Sequence, residues 1–367
     1  MTLTNYWMLL LWLAAAGAVC RIYFKKKPVT VLGKTEYRWG WVPVIILMIP
    51  YVIWAANRKW IGDTETYRSI FLNLPTNIAQ FPAYIATIQK DVGFTVISLA
   101  IKLVIGNRDV VFFFLIATFQ MLCVAYFFRK YSKSFLLCVF MFIASTDYIS
   151  WVFNGMRQFI AVCITLLCFD HIIKKQYLIS ILLIFLAATI HGSAILMIPI
   201  IFVVQGKAFN KRTILAMTAI ALAVVFIGRF SALLESFLAE TQYGDIMAGD
   251  IWKNDDGTNI FRVAFYSIPA ILALVGKKEI QRENDPVVNL CVNYSIMTVL
   301  LYILSAVTSG IYIGRIPIYT TLPGYAVCPE IIEKIFTKRS VPIVIWGLIV
   351  IYLLFFFYQM HFTWGLI

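Results

Sequence analysis

Four short polar segments in this 367-residue chain carry the residue types that can do chemistry, and each of them interrupts an apolar stretch. Polar and ionisable side chains are costly in so apolar a setting, which makes them functional candidates. The four segments are residues 57–68, 154–158, 191–193 and 311–319. Between them they offer carboxylates, guanidinium groups, an imidazole and phenols, which serve anion binding and general acid–base catalysis.

The first segment combines a carboxylate with cations and a phenol. Asp63 and Thr64 suit a helix N-cap, and Tyr67 follows Asp63 by four residues on the same helix face. One interpretation is a capped helix that lies on the membrane surface. The other is a site in which Asp63 is catalytic, while Arg58, Tyr67 and Arg68 bind substrate at the bilayer surface.

The second segment places Arg157 at the start of an apolar helix. A guanidinium fork beside free backbone N–H groups suits a phosphate or a pyrophosphate. The structural alternative is an arginine whose charged head reaches out to the membrane interface. The membrane topology predicted below places this segment outside, where arginine is uncommon because basic residues are concentrated in cytoplasmic loops. An isolated arginine there favours a functional role. Asn154 and Gln158, beside Arg157, are then substrate-binding candidates.

The third segment is His191, followed by Gly192 and Ser193, inside a long apolar run. A single histidine in such a run is more often structural. Here, however, it stands where the chain must turn and expose its backbone. An imidazole in that position can act as a general base near neutral pH, so His191 is a catalytic candidate.

The fourth segment holds Arg315, with Tyr312 and Tyr319 on either side of it, between two long apolar runs. Arg315 is a second isolated arginine and a catalytic candidate. Together with Arg157 it could clamp a diphosphate, and the two tyrosines could bind substrate by stacking on sugar rings.

The composition places the whole chain in a membrane. Hydrophobic residues make up 61% and charged residues 13%, whereas soluble domains have about half and about a quarter, respectively. The net charge of +13 lies in short loops, which is the positive-inside bias, and no contiguous basic face exists for a nucleic acid. The seven cysteines lie in or beside apolar runs without CxxC spacing, which predicts buried thiols and no metal site.

These apolar runs must form the elements that position the candidates. A helix needs about twenty apolar residues to cross the hydrocarbon core. The clear candidate spans are 4–24, 39–56, 110–128, 134–150, 159–173, 212–229, 260–276, 286–308, 316–333 and 341–358. Residues 177–204 are predicted to cross twice as two short helices that turn near His191, and 93–106 to make no net crossing. The predicted fold is all-α, a transmembrane bundle of about twelve spans that forms one domain over residues 1–367.

Charge then assigns the sides of the membrane. The basic loop 25–38 is placed in the cytoplasm, which puts the N-terminus outside. The predicted outer loops are 57–92, 151–158, 190–193, 230–259 and 309–315. All four polar segments then face the outer side, where these loops are expected to form the active site.

The ordered set of motifs resembles the EpsG family of bacterial exopolysaccharide proteins, which is related to Wzy-type O-antigen and capsule polymerases. The motifs that carry the resemblance are Gly62-Asp63-Thr64 with Tyr67, Asp91-Val92-Gly93-Phe94, Asn154-Gly155-Met156-Arg157-Gln158 with Ala161, His191-Gly192-Ser193-Ala194 with Pro199, and Arg315 with Tyr319. Asp91-Val92 departs from the family's usual Glu-Pro.

The resemblance implies a metal-independent glycosyltransferase without a cofactor, similar in fold to the GT-C enzymes, at the outer face of the bacterial cytoplasmic membrane. Such a polymerase moves a growing glycan from its undecaprenyl diphosphate carrier onto another lipid-linked repeat unit. Arg157 and Arg315 would hold the donor diphosphate, and His191 or Asp63 would take the proton of the acceptor hydroxyl. Besides the donor and acceptor glycans, the implied partners are membrane lipid, a chain-length regulator and a flippase.

Three other functions compete with this one. An O-antigen ligase-like enzyme would share the fold and the donor but use a different acceptor. A non-enzymatic flippase or transporter of lipid-linked sugars would need polar groups through the depth of the bundle, whereas charges in the middle of these spans are few. A membrane O-acyltransferase also uses an intramembrane histidine, but it needs a longer histidine-containing constellation.

Overall fold

The computed structural model describes residues 6–58, 61–226 and 257–366. Most of the predicted outer loop 230–259 therefore lies outside the described residues. The chain forms two compact units, of which the first comprises Met1–Ile198 with Phe336–Ile367 and the second Pro199–Ile335. The single domain predicted over the whole chain stays a prediction.

The described residues are almost entirely helical, which confirms the all-α prediction. The α-helices are α1 (Trp7–Tyr23), α2 (Trp41–Ala56), α3 (Thr64–Asn73), α4 (Phe81–Ala86), α5 (Val92–Ile105), α6 (Asp109–Tyr131), α7 (Phe135–Ala144), α8 (Asp147–Ile149), α9 (Met156–Leu167), α10 (Phe169–Ile173), α11 (Tyr177–Ile190), α12 (Met197–Val203), α13 (Lys211–Val225), α14 (Ile260–Tyr266), α15 (Ile268–Val275), α16 (Lys277–Glu283), α17 (Pro286–Ala306), α18 (Ile318–Ile335) and α19 (Val341–Tyr358). Short 3₁₀ or π-helical turns lie at Ile78–Gln80, Ser150–Asn154, Gly192–Leu196, Ile313–Arg315 and Gln359–Thr363.

A β-hairpin occupies the basic loop 25–38. Strands β1 (Lys27–Val31) and β2 (Lys34–Arg38) pair antiparallel across the two-residue turn Leu32-Gly33. Both turn residues have a positive φ, +48° and +81°, as a type I′ hairpin turn requires. β1 carries the β-branched run Val-Thr-Val, and β2 alternates charged residues with Thr and Tyr. The hairpin therefore gives ordered structure to a segment that hydropathy alone marks only as a connection.

Three described helices are long and apolar enough to cross a membrane: α6, α17 and the run Val341–Thr363 that continues α19. A fourth candidate is α7 together with Asp147–Asn154, which are bent by 70°. Six further apolar helices are 10–17 residues long, below the roughly twenty that a straight crossing needs. The coarse prediction of a helical bundle with several apolar spans is confirmed, whereas the count of about twelve and the GT-C fold stay predictions.

Two local predictions concern the segments around the candidate residues. The run 177–204 does break at His191, since α11 ends at Ile190 and a 3₁₀ turn follows. The predicted loop 151–158, in contrast, is helical and largely buried, because Trp151 packs against Phe142 and Phe159 with ring centroids 5.7 and 5.4 Å apart. Aromatic side chains of this size favour burial over a position in an exposed loop.

Candidate active site

Arg157 is the second residue of α9, a helix enclosed along nearly its whole length. Ten of its 12 residues are buried, and the two exceptions are Arg157 and Leu167. The helix packs against α6 and α11, and Gln120 of α6 donates from Nε2 to the Met156 carbonyl oxygen at 3.0 Å. A helix that is apolar on all sides belongs in the interior of a bundle. The packing therefore holds the first turn of α9, from which Arg157 projects.

A single carboxylate connects Arg157 to the turn that follows His191. Asp91 Oδ2 lies 3.0 Å from Arg157 Nη1, and Asp91 Oδ1 accepts a hydrogen bond from the Gly192 N–H at 3.2 Å. The Arg157 side chain is 36% exposed and that of Asp91 only 14%. Hydrogen bonds to ionised groups are about twice as strong as neutral ones. Asp91 thus holds an accessible cation beside the break in the helix.

The backbone around Asp91 is sterically constrained at two positions. Asp91 directly precedes α5 in the left-handed region, with φ at +56°, which Asp adopts more readily than most residues. Two residues later, a Cβ on Gly93 would lie 2.3 Å from Thr189 Oγ1 and 2.9 Å from the Thr189 carbonyl carbon. Only glycine permits this approach of α5 to α11, and the approach brings Asp91 to Gly192.

His191 is oriented by its own turn and by α9. Its Nδ1 lies 2.7 Å from Ser193 Oγ, which also accepts a hydrogen bond from Gln158 Nε2 at 3.4 Å. Neighbouring residues of α9 therefore reach the same turn, Arg157 through Asp91 and Gln158 through Ser193. The imidazole thus stands at the turn whose backbone the Arg157–Asp91 pair contacts, which suits proton transfer next to a bound anion.

Two aromatic rings flank the Arg157 guanidinium. Its central carbon lies 5.8 Å from the Tyr67 ring centroid and 5.9 Å from that of Phe94. The two rings meet edge to face with centroids 6.0 Å apart. Cation–π contacts of this length stabilise the charge and restrict the side chain. Tyr67 thus belongs to the site, where its ring packs against the Arg157 guanidinium.

The turn that leads into α3 lies against Asn154, two residues before α9. Gly62 has a φ of +51°, and a Cβ there would be 2.8 Å from Asn154 Cβ. Asp63 follows in the N-cap position and is half-buried, but its carboxylate makes no capping hydrogen bond. The turn that leads into α3 is closed by Thr64, whose N–H and Oγ1 both donate to the Ile61 carbonyl oxygen, at 3.2 and 2.5 Å. The helix start predicted at Asp63 and Thr64 is confirmed, although it has no side-chain capping bond.

Arg58 lies beneath the site. It is 3% exposed, donates to the Val152 carbonyl oxygen and to Met156 Sδ, and stacks with its guanidinium carbon 4.0 Å from the Phe113 ring centroid. Burial lowers its pKa to about 9. A side chain so enclosed supports the turn before α9, which speaks against the substrate-binding role predicted for it.

Arg68 is engaged at the edge of the site. It forms ion pairs with Glu65 and, through Nε at 2.7 Å, with Asp109 Oδ2 at the start of α6. Its side chain is 25% exposed. Arg68 therefore ties α3 to α6, and substrate binding by Arg68 stays a prediction.

The remaining predicted residues belong to the second unit. Arg315 ends the 3₁₀ turn Ile313–Arg315 and is exposed, Tyr312 is half-buried, and Tyr319 is 2% exposed within α18. The turn packs tightly, because a Cβ on Gly314 would lie 2.7 Å from Thr258 Oγ1. Joint action of Arg157 and Arg315 on one diphosphate stays a proposal.

The sequence profile of the EpsG family matches residues 41–364, which is nearly the whole chain. The chain belongs to the EpsG family. This is a Wzy-like polysaccharide polymerase family, and membership together with the long apolar helices makes the chain a membrane protein. Comparison with curated proteins and with solved structures found no match. The family resemblance inferred from the motifs is thereby confirmed.

In this EpsG-family chain the first unit gathers the side chains of four of the eleven predicted residues into one cluster: Tyr67, Arg157, Gln158 and His191. Asn154 lies beside Gly62, ahead of α3. Sequence reasoning did not name Asp91 as a site residue, although Asp91 connects two of them. Its signal was the acidic position of the Asp91-Val92-Gly93-Phe94 motif, in which Gly93 and Phe94 also touch the site.

Proposed function

We propose that this EpsG-family protein joins oligosaccharide repeat units linked to undecaprenyl diphosphate into a polysaccharide, at the outer face of the bacterial cytoplasmic membrane. The observation that carries the proposal is the Arg157–Asp91–Gly192 link, which holds a half-exposed guanidinium beside His191. An anion site next to a titratable base is what transfer from a diphosphate carrier requires.

In the proposed reaction a hydroxyl of the acceptor repeat attacks the anomeric carbon of the donor glycan. The new glycosidic bond forms as the bond to the diphosphate oxygen breaks, and undecaprenyl diphosphate leaves. His191 or Asp63 accepts the hydroxyl proton. Arg157, and with it Arg315, stabilises the negative charge that grows on the departing diphosphate, so that the protein's own cations do this work without a metal ion.

Arg157 is suited to this role because its guanidinium has more N–H donors than Asp91 engages. A guanidinium has five N–H donors. Asp91 engages Nη1, the enclosed Nε has no partner in the part of the chain that the structure describes, and the side chain as a whole is 36% exposed. The aromatic contacts with Tyr67 and Phe94 orient the group before substrate arrives. Preorganised donors stabilise developing charge with little reorganisation during the reaction.

The test is a reconstituted reaction. Lipid-linked repeat units that accumulate in cells lacking this protein would be incubated with the purified full-length protein, and the products separated on a gel. A ladder of multiples of the repeat is the expected result. An unchanged band, as from a flippase, or transfer only to lipid A or to a protein, as from a ligase, would contradict the proposal.

Arg157→Ala should lower the rate of ladder formation by at least about 100-fold, as the loss of one charge-stabilising donor does elsewhere. Arg282→Ala is the matched control, because Arg282 is exposed in α16, outside the proposed site. It should polymerise at the normal rate. A full-length ladder from Arg157→Ala would remove Arg157 from the mechanism.

A further inference from the structure

A second group of cations converges on a cavity in the first unit. The cavity has a volume of about 480 Å³, and no carboxylate of the described residues lines it. Its six cationic residues are Arg21, Lys25, Lys26, Arg38, Arg129 and Lys133. They come from the end of α1 and the connection that follows it, from β2, and from the end of α6 and the connection to α7, and none takes part in the Arg157 site. Like charges brought together in a partly enclosed space repel one another unless an anion lies between them.

Arg38, the last residue of β2, gives the strongest indication of such an anion. It is only 8% exposed. Glu36 Oε2 lies 3.3 Å from its Nη1, but its enclosed Nε has no hydrogen-bond partner among the described residues. A buried donor without an acceptor is unfavourable and uncommon in native proteins. A bound anion would supply that acceptor.

Arg129 is held in position at the same cavity. Its Nε donates to the Trp39 carbonyl oxygen at 2.8 Å, and its guanidinium carbon lies 4.9 Å from the Trp41 ring centroid. These contacts fix the plane of the group. A fixed guanidinium fork matches the geometry of phosphate oxygens better than a flexible ammonium does.

One part of the cavity wall is apolar. It is formed by Phe24, Trp39, Phe135 and Leu136, and the rings of Trp39 and Phe135 lie 6.4 Å apart. A free phosphate ion would gain nothing from such a wall, whereas a phospholipid brings an apolar chain attached to its phosphate. Basic pockets on the cytoplasmic side of membrane proteins bind lipid head groups in this way.

We propose that this cavity is a binding site for the phosphate head group of an anionic membrane lipid on the cytoplasmic side of the protein. The positive-inside bias explains why basic residues lie in these connections. That bias does not explain why Arg38 is buried with an N–H donor that has no acceptor among the described residues, nor why several basic residues surround one cavity. The site is independent of the proposed polymerase reaction, which uses other residues.

Full-length protein purified in detergent would be titrated with phosphatidylglycerol, phosphatidylcholine and inorganic phosphate, and the bound species counted by native mass spectrometry. Phosphatidylglycerol should bind at least about tenfold more tightly than phosphatidylcholine. Arg38→Gln should weaken phosphatidylglycerol binding by about tenfold or more, and Arg38→Lys by less, because it keeps the charge. Lys25→Gln with Lys26→Gln, both exposed, provides the test if the buried Arg38 variants do not fold.

Lys278→Gln is the matched control, since it removes the same charge from an exposed residue of α16 outside the cavity, and it should bind as the unmodified protein does. Equal affinity for the two lipids, or equal weakening in Lys278→Gln and the cavity variants, would overturn the proposal. Inorganic phosphate that binds as tightly as phosphatidylglycerol would identify a soluble anion and would overturn the assignment to lipid.

Discussion

At the scale of single residues, the site depends on how Arg157 and Asp91 share their charges. Asp91 forms an ion pair with Arg157 through Oδ2 and accepts a hydrogen bond from the Gly192 N–H through Oδ1, so both carboxylate oxygens contact protein groups. Arg157 has more donors than Asp91 can accept from. The pair therefore retains the capacity to bind an anion, and Asp91 acts as a positioning residue for Arg157 rather than as a group that touches substrate.

Asp91→Asn tests that role. The amide oxygen can still accept from Gly192, but the ion pair with Arg157 is lost, so polymerisation should slow by about tenfold while the protein stays folded. The initial rate of ladder formation and the Tm in detergent check this together.

Asp170→Asn is the control for Asp91→Asn, because its carboxylate likewise accepts from a cation, Lys130, and from a neighbouring hydroxyl, Tyr131. The control should keep its polymerisation rate. Equal slowing in the two variants would show a general loss of stability instead of a positioning effect.

At the scale of elements, the site requires α5 and α11 to approach more closely than side chains normally allow. Gly93 makes this contact with Thr189, and Lys102, further along α5, donates to the carbonyl oxygens of Phe71 and Leu72 at the end of α3. A cation at a helix C-terminus satisfies carbonyl groups that the helix leaves unpaired. One short helix thereby positions both Asp91 and the helix that carries Tyr67.

Gly93→Ala should therefore destabilise the protein by about 1–3 kcal/mol, the usual cost of overpacking, because its Cβ meets backbone atoms that cannot yield. It should also lower activity, since the contact sets the position of Asp91. Gly347→Ala in α19 is the matched control, because no atom of the described residues lies within 4 Å of a Cβ there and alanine is the better helix former. A Tm for Gly93→Ala equal to that for Gly347→Ala would contradict the close contact.

At the scale of the whole molecule, the prediction to test is which side of the membrane each segment faces. The charge bias places the hairpin, residues 27–38, in the cytoplasm and α3 outside. The described structure supplies a convenient background for testing this, because all seven cysteines are buried, as the sequence predicts.

Thr35→Cys and Thr66→Cys introduce exposed thiols on β2 and α3, respectively. In intact cells or spheroplasts, a membrane-impermeant maleimide should label Thr66→Cys at once and Thr35→Cys only after permeabilisation. The unsubstituted protein, with its buried thiols, controls for background labelling. The opposite pattern would invert the topology and would place the Arg157 site in the cytoplasm, away from the proposed outer-face reaction.

Hydropathy, charge and residue type sufficed to predict the membrane class, the all-α fold, the helix break at His191 and the few residues able to do chemistry. Those features follow from hydropathy and local preference, which each stretch of chain carries independently of the rest. Which of the predicted site residues lie in contact was evident only from the folded chain. Asp91 contacts Gly192, 101 residues further along the chain, and so belongs to the site although it was not predicted there. Arg58 contacts Val152, 94 residues further along, and is buried beneath the site. No local pattern encodes such contacts, because they depend on how closely α5, α9 and α11 pack.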